Sequence, residues 1–289
     1  MLKWAESHKL FPKKSSDKWS WYCLQAIYLG HVHVLQWLHA RGYPVNVTGA
    51  SIQAASDARH VSTLNWLLRT TALPFPCETV DVLRSASNLG LVDMLQWWSD
   101  AVRPNAPHGR SLTLQYTHTA MDESPFIVVL DWWAHGDRHP HLPIKYSATA
   151  IKLSSQTGDT DLLEWWRSSS GLPLQYSHEV FEALVGDRHN DVLRWWWASG
   201  LPLKMSRHVY DRRRADVEEF FRLEPLDHDN DDTLYHERMV WWRDHIFHGK
   251  DAADRVVIVD ENAVHAVQRE RWLNVAAPPS LWTRISQLF

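Results

Sequence analysis

The stretch LRWWWASGLPLK, residues 193–204, holds three consecutive tryptophans, a turn and a short apolar run. Indoles in a row suit a sugar platform, a base-stacking surface, a membrane-interface anchor or a core. The stretch is not alone, and that decides between them. A leucine two residues before a tryptophan recurs in HVHVLQWL (31–38), HVSTLNWL (60–67), LVDMLQWW (91–98), FIVVLDWW (126–133), DTDLLEWW (159–166) and HNDVLRWW (189–196). The leucines Leu35, Leu64, Leu95, Leu130, Leu163 and Leu193 are spaced 29, 31, 35, 33 and 30 residues apart. A first tryptophan column, Trp37, Trp66, Trp97, Trp132, Trp165 and Trp195, is filled in every unit. The second column reads Leu38, Leu67, Trp98, Trp133, Trp166 and Trp196. Self-similarity at this period is the signature of a repeat architecture.

Each unit reads as two helices. The quoted motif is the second, with a wide apolar face such as Val32, Leu35 and Leu38. Upstream, Cys23, Leu83 and Ile151 stand seven residues before a glycine column (Gly30, Gly90, Gly158), and Ala26, Ala86 and Ser154 four before it. Small residues there admit close helix approach, and glycine breaks the chain between the helices. The pair ends in GYPV (42–45) or GLPL (171–174 and 200–203), where glycine stops the helix and proline forbids its continuation. Thr117, Ser147, Ser177 and Ser206 then stand where they cap the next helix. About 31 residues cannot bury both faces alone, so the units are expected to stack as an all-α solenoid.

This organisation resembles the ankyrin repeat. The family register of leucine, paired alanines, two variable residues, glycine–histidine and an aliphatic second helix is followed in WYCLQAIYLGHVHVLQWLHARG (21–42) and SIQAASDARHVSTLNWLL (51–68). The match covers six units, roughly residues 19–205. It departs in lacking the threonine–proline–leucine–histidine opening, in placing tryptophan where the family has leucine, and in replacing the long hairpin by a GLPLQYS type of turn. The resemblance implies a non-catalytic protein-binding scaffold without cofactor. It also implies partner contacts at the two variable residues before the glycine column. Here these are Tyr28–Leu29, Asp57–Ala58, Asn88–Leu89, Glu123–Ser124, Gln156–Thr157 and Gly186–Asp187. Trp197 stands in a scattered column (His39, Leu68, Ser99, Ala134, Arg167) beside the end of the array. It is expected to pack on the C-terminal extension or, if bare, to meet a partner.

The edges are assigned as follows. Residues 1–18 read as a partial repeat, because Leu2–Trp4 mimics the end of a second helix. The array spans residues 19–222, with Asp216–Phe221 as a degenerate, polar seventh unit. Residues 223–232 form an acidic linker and 233–289 a C-terminal extension. In the extension, RVVIV (255–259) fits a strand or a helix, and residues 276–289 are apolar enough to fold back.

Chemistry is sparse. The net charge of −4 gives no broad positive field for nucleic acid. Two cysteines, Cys23 and Cys77, exclude a disulfide framework and fit a reducing compartment, cytoplasmic or nuclear. No apolar run reaches membrane-spanning length. The recurring His31, His60 and His189 read as ties between units rather than metal ligands, and His139-Pro140-His141 lacks partners. A monomer binding protein partners is the expectation. The rival readings are a small-molecule or carbohydrate binder using exposed tryptophans, and an enzyme with a site around Asp260, Glu261 and His265. The first tryptophan column is expected to be almost wholly buried.

Overall fold

The computed structural model describes residues 18–70, 72–106, 108–136, 139–184, 189–223 and 233–259. Residues 1–17 of the expected partial repeat, 224–232 of the expected linker, Asp187, the trio Asp260, Glu261 and His265, and residues 276–289 lie outside them. The protein is mostly helical, 62% helix against 4% strand. It divides into two compact units, residues 1–150 with 164–174 and residues 151–163 with 175–289.

In the first unit the helices come in pairs. They are α1 (Lys18–Tyr28) with α2 (Val32–Ala40), α3 (Gly49–Asp57) with α4 (Val61–Arg69), α5 (Val82–Asn88) with α6 (Val92–Ala101), and α7 (Thr119–Asp122) with α8 (Ile127–Ala134). Within a pair, the first helix ends where a backbone N–H reaches five residues back. His31 donates to Ala26 O, His60 to Ala55 O and Leu91 to Ala86 O, each at 2.8 Å. Such a stop needs a left-handed residue just before the donor. Gly30 and Gly90 supply it with φ of 70° and 72°, and Arg59 does so at 58°. First helices then pack on first helices (α1 on α3, α3 on α5, α5 on α7), and second helices on second (α2 on α4, α6 on α8).

The leucine column lies at the centre of this packing. Leu35, Leu64, Leu95, Leu130 and Leu163 have no exposed surface. Starts of first helices are capped as their residue types dictate. Thr117, Ser147 and Ser177 accept from the backbone N–H two residues on, at 3.2–3.3 Å. Thr48 with Ser51 forms a capping box, and Asp81 accepts from Arg84 N.

Helices α9 (Thr149–Thr157) and α10 (Thr160–Glu164) straddle the division, and α10 runs into a π-helical turn at Trp165–Ser169. The second unit continues with α11 (Glu179–Ala183), α12 (Asn190–Ala198), β1 (Leu203–Ser206), α13 (Arg207–Leu223), α14 (Thr233–Trp241), a π turn at Trp242–Phe247, α15 (Ala252–Arg255) and β2 (Val256–Val259). Residues 207–223, which include the degenerate unit read at Asp216–Phe221, form one 17-residue helix. RVVIV resolves as the short strand β2, which pairs in parallel with β1, Leu203 opposite Val256 and Ser206 opposite Val259.

The first tryptophan column departs from its expected burial. Trp165 is buried, but Trp37, Trp66, Trp97, Trp132 and Trp195 are only half-buried. The second column is the core one: Leu67, Trp98, Trp133 and Trp196 are fully buried. Helical geometry gives the reason. With the leucine at 0°, the second column lies at about 300° and shares its face, whereas the first lies at about 200°, on the far flank.

Candidate interaction surface

Several contacts beside the side chains considered for recognition repeat from pair to pair. Three tryptophans of the first column use their N–H groups sideways. Trp97 Nε1 donates to Asn65 Oδ1 (3.1 Å), Trp132 to Gln96 Oε1 (3.1 Å) and Trp165 to Asp131 Oδ1 (2.6 Å). Each acceptor stands between the leucine and the tryptophan of the preceding motif. The second column satisfies its N–H in the core. Trp98 donates to Ser56 Oγ (2.9 Å), Trp133 to Ser87 Oγ (3.0 Å) and Trp196 to Ser155 Oγ (3.2 Å). The serines stand three residues before the glycine column of the preceding pair. Where that position is Ile27, the later residue is Leu67, which has no N–H to satisfy.

A third tie joins the glycine and histidine columns. A methyl on Gly30 would fall 2.6 Å from His60 Nδ1, and one on Gly158 would strike His189. Phe126 stands in the histidine column, and a methyl on Gly90 would fall 3.3 Å from its ring. The preceding residue is glycine wherever the following unit carries a ring. Arg59 and Pro125 fill the position where the following unit carries Leu91 and Asp159. His60 also bonds Tyr28 O across pairs at 3.0 Å.

These ties absorb much of the surface expected to meet a partner. Asp57 accepts from Ser85 Oγ (2.8 Å) and from Gln53. Glu123 pairs with Arg84 at 2.7 Å and accepts from Asn88 at 3.5 Å. Asp57, Asn88 and Glu123 therefore link successive first helices. Gln156 is half-buried, whereas Tyr28 and Leu29 are exposed. Trp197 is taken up by the chain itself. Its ring meets Trp241 (6.4 Å) and His245 (4.9 Å) edge to face, and the Arg255 guanidinium lies over it at 4.3 Å. Arg255 also donates to Trp196 O, Trp197 O and Leu201 O at the end of α12.

The ties leave an apolar cluster uncovered in the first unit. Leu89, Phe126, Ile127 and Val128 are 50, 40, 37 and 59% exposed, and Phe126 lies against the glycine that follows Leu89. Leu89 falls in the variable pair read from the sequence; the other three lie one to three residues past Pro125. The sequence hid them because FIVVL is apolar throughout, yet only Val129 and Leu130 of it turn inward.

The adjacent tryptophans form no flat platform. Trp97–Trp98, Trp132–Trp133, Trp165–Trp166 and Trp195–Trp196 cross at 83°, 81°, 84° and 87°. Asp122 carries a buried carboxylate that accepts from Ser147 N and Oγ and pairs with His118. Both partners bind the carboxylate rather than each other, so the serine–imidazole bond of an activated nucleophile is missing. His139 stacks on Trp132 and bonds Trp132 O at 2.7 Å. Burial pushes the Cys23 thiol up; burial and the neighbouring Glu78 push Cys77 up to about 11. Both are buried, weak nucleophiles. Among the described residues no group of three or more His, Cys, Asp and Glu is placed to hold a metal, and no helix is long and apolar enough to cross a membrane. No family model, curated protein or solved structure matches the chain.

Proposed function

We propose that the chain is a divergent ankyrin-type solenoid serving as a non-catalytic scaffold, and that it binds an apolar segment of a protein partner at Leu89, Phe126, Ile127 and Val128. The observation that carries this reading is the exposure of those four side chains, with Phe126 lying against the glycine that follows Leu89. Exposed apolar clusters of this kind mark interaction sites. The repeat register supports the solenoid, as do the row-on-row packing of first and second helices and the three recurring ties. Two buried free thiols fit a reducing compartment.

The test is a photo-crosslinking amino acid at position 128 of the full chain in cells, with Arg222 as a control site on an exposed helix. A discrete adduct at 128, absent at 222 and lost in Leu89→Asp, supports the reading. Leu89 is half-exposed, so the aspartate leaves the core intact. An adduct pattern equal at the two positions, or one indifferent to Leu89→Asp, overturns it. At a binding hot spot, Leu89→Asp should weaken the partner by about tenfold or more.

A further inference from the structure

Tyrosines tie the turns that follow the helix pairs. Four residues past the leucine of their turns, Tyr116, Tyr146 and Tyr176 donate their hydroxyls to Pro143 O, Pro173 O and Pro202 O of the next turn, at 2.7, 2.8 and 3.1 Å. A cation from that next turn lies over two of the rings, Lys145 over Tyr116 at 4.0 Å and Lys204 over Tyr176 at 4.3 Å. The turn that opens at Leu73 has Cys77 in this column. Its thiol faces the equivalent carbonyl, Thr113 O, from 3.8 Å. An S–H is a weak donor and a carbonyl carries two lone pairs, so Thr113 O keeps room for a stronger donor. The ring is replaced from elsewhere. Tyr116, Tyr146 and Tyr176 pack on Trp133, Trp166 and Trp196, whereas here Phe75 meets Trp98, at 6.1 Å, and brings no hydroxyl.

A cleft of about 570 Å³ lies at this turn. Small-molecule sites run from roughly 300 to 1,000 Å³. Phe75 and Glu78 line one side and Gly109 to Thr113 the other. Arg110 is anchored there by Thr70 O and Leu73 O. The cleft therefore brings together an aromatic ring, a cation and the carbonyl of the tyrosine tie, where the repeat omits its tyrosine.

We propose that this cleft binds a phenol, the group that the repeat supplies from within at its other turns. The hydroxyl donates to Thr113 O, and the ring lies against Phe75 with the Arg110 guanidinium beside it, as the lysines lie over Tyr116 and Tyr176. The Glu78 carboxylate on the wall disfavours an anion, so the phenol is taken up neutral.

The probe is 4-fluorophenol, titrated into the full chain and followed by fluorine NMR. The expected result is saturable binding, with 4-fluoroanisole about three- to tenfold weaker for want of the O–H. N-acetyltyrosine amide, as a competitor, separates the two sources of the group. Displacement at a lower concentration than unlabelled phenol assigns the site to a tyrosine side chain of a partner, and displacement at a higher one to a free phenol. Cys77→Tyr returns the repeat's own hydroxyl to the cleft and should abolish binding. Because Cys77 is buried, Ser111→Trp serves as a second variant. It fills the cleft from an exposed position with Cys77 in place, and it too should abolish binding. The proposal is overturned by non-saturable binding, by equal affinity for the methyl ether, or by a Ser111→Trp protein that binds as well as wild type.

Discussion

The helix pairs of the first unit and the C-terminal end of the second use the same sequence columns for opposite purposes. Between pairs, the residue ahead of the first tryptophan is an acceptor, and Asn65, Gln96 and Asp131 take the next pair's indole N–H. In the last regular motif that residue is Arg194, which reaches Glu237 on α14 instead. In the turns, Tyr116, Tyr146 and Tyr176 donate their hydroxyls to Pro143 O, Pro173 O and Pro202 O of the following turn. In the last turn the tyrosine becomes Met205, fully buried, and the backbone around it becomes a strand. A repeat persists by asking each unit to satisfy its neighbour. It ends by changing the residues that ask.

That contrast predicts a graded set of effects. Trp98→Ala and Trp133→Ala remove fully buried indoles and should cost about 3–5 kcal/mol in urea unfolding. The half-buried Trp97→Ala and Trp132→Ala should cost about 1–3 kcal/mol, from partial burial and one hydrogen bond. Equal losses in the two columns would refute the assignment of core and flank. Gly30→Ala meets a left-handed φ and the His60 ring, for about 2–4 kcal/mol in all. Adding His60→Leu recreates the non-glycine and leucine combination of Arg59 and Leu91, and should restore the part due to the clash. No recovery in the double variant would break the glycine–ring pairing.

At the C-terminal end, Arg255→Ala loses three carbonyl acceptors and the contact over Trp197. It should cost about 1–3 kcal/mol, confined to residues 203–206 and 256–259 by amide exchange. Exchange that rises equally in the first unit would count against a separate closure.

The smallest effect concerns alkaline pH. Burial pushes the Tyr116 phenol up to about 12, and Cys77 lies at about 11. Both folded-state values are raised, so their contribution is full below the unfolded values near 9 and 10. It declines as pH rises through about 11 to 12. The unfolding midpoint should fall over that range, less steeply in Cys77→Ala and Tyr116→Phe.

Much of this architecture is legible in the sequence because it is written six times. The leucine column, the glycine stops and the Thr117, Ser147 and Ser177 caps follow from local rules that tertiary packing does not override. The error over the first tryptophan column was one of angle, since adjacent helical residues cannot share a face. The acceptor column of Gln36, Asn65, Gln96, Asp131 and Glu164 was equally visible. It signifies something only once the next unit's indole is placed beside it. The β1–β2 pairing was hidden because two four-residue strands some 50 residues apart carry little periodicity. The exposed Phe126–Val128 tip was hidden because an unbroken apolar run, Phe126 to Leu130, does not disclose which face turns outward.

Strand β2 has a consequence for assembly. A stack of like units is open-ended in principle, because whatever contact adds one unit can add the next, and a head-to-tail contact that never closes builds a filament. The backbone of Leu203–Ser206 would offer such a growing end a row of amide and carbonyl groups. Hydrogen-bonding to Val256–Val259 satisfies one side of that backbone within the chain.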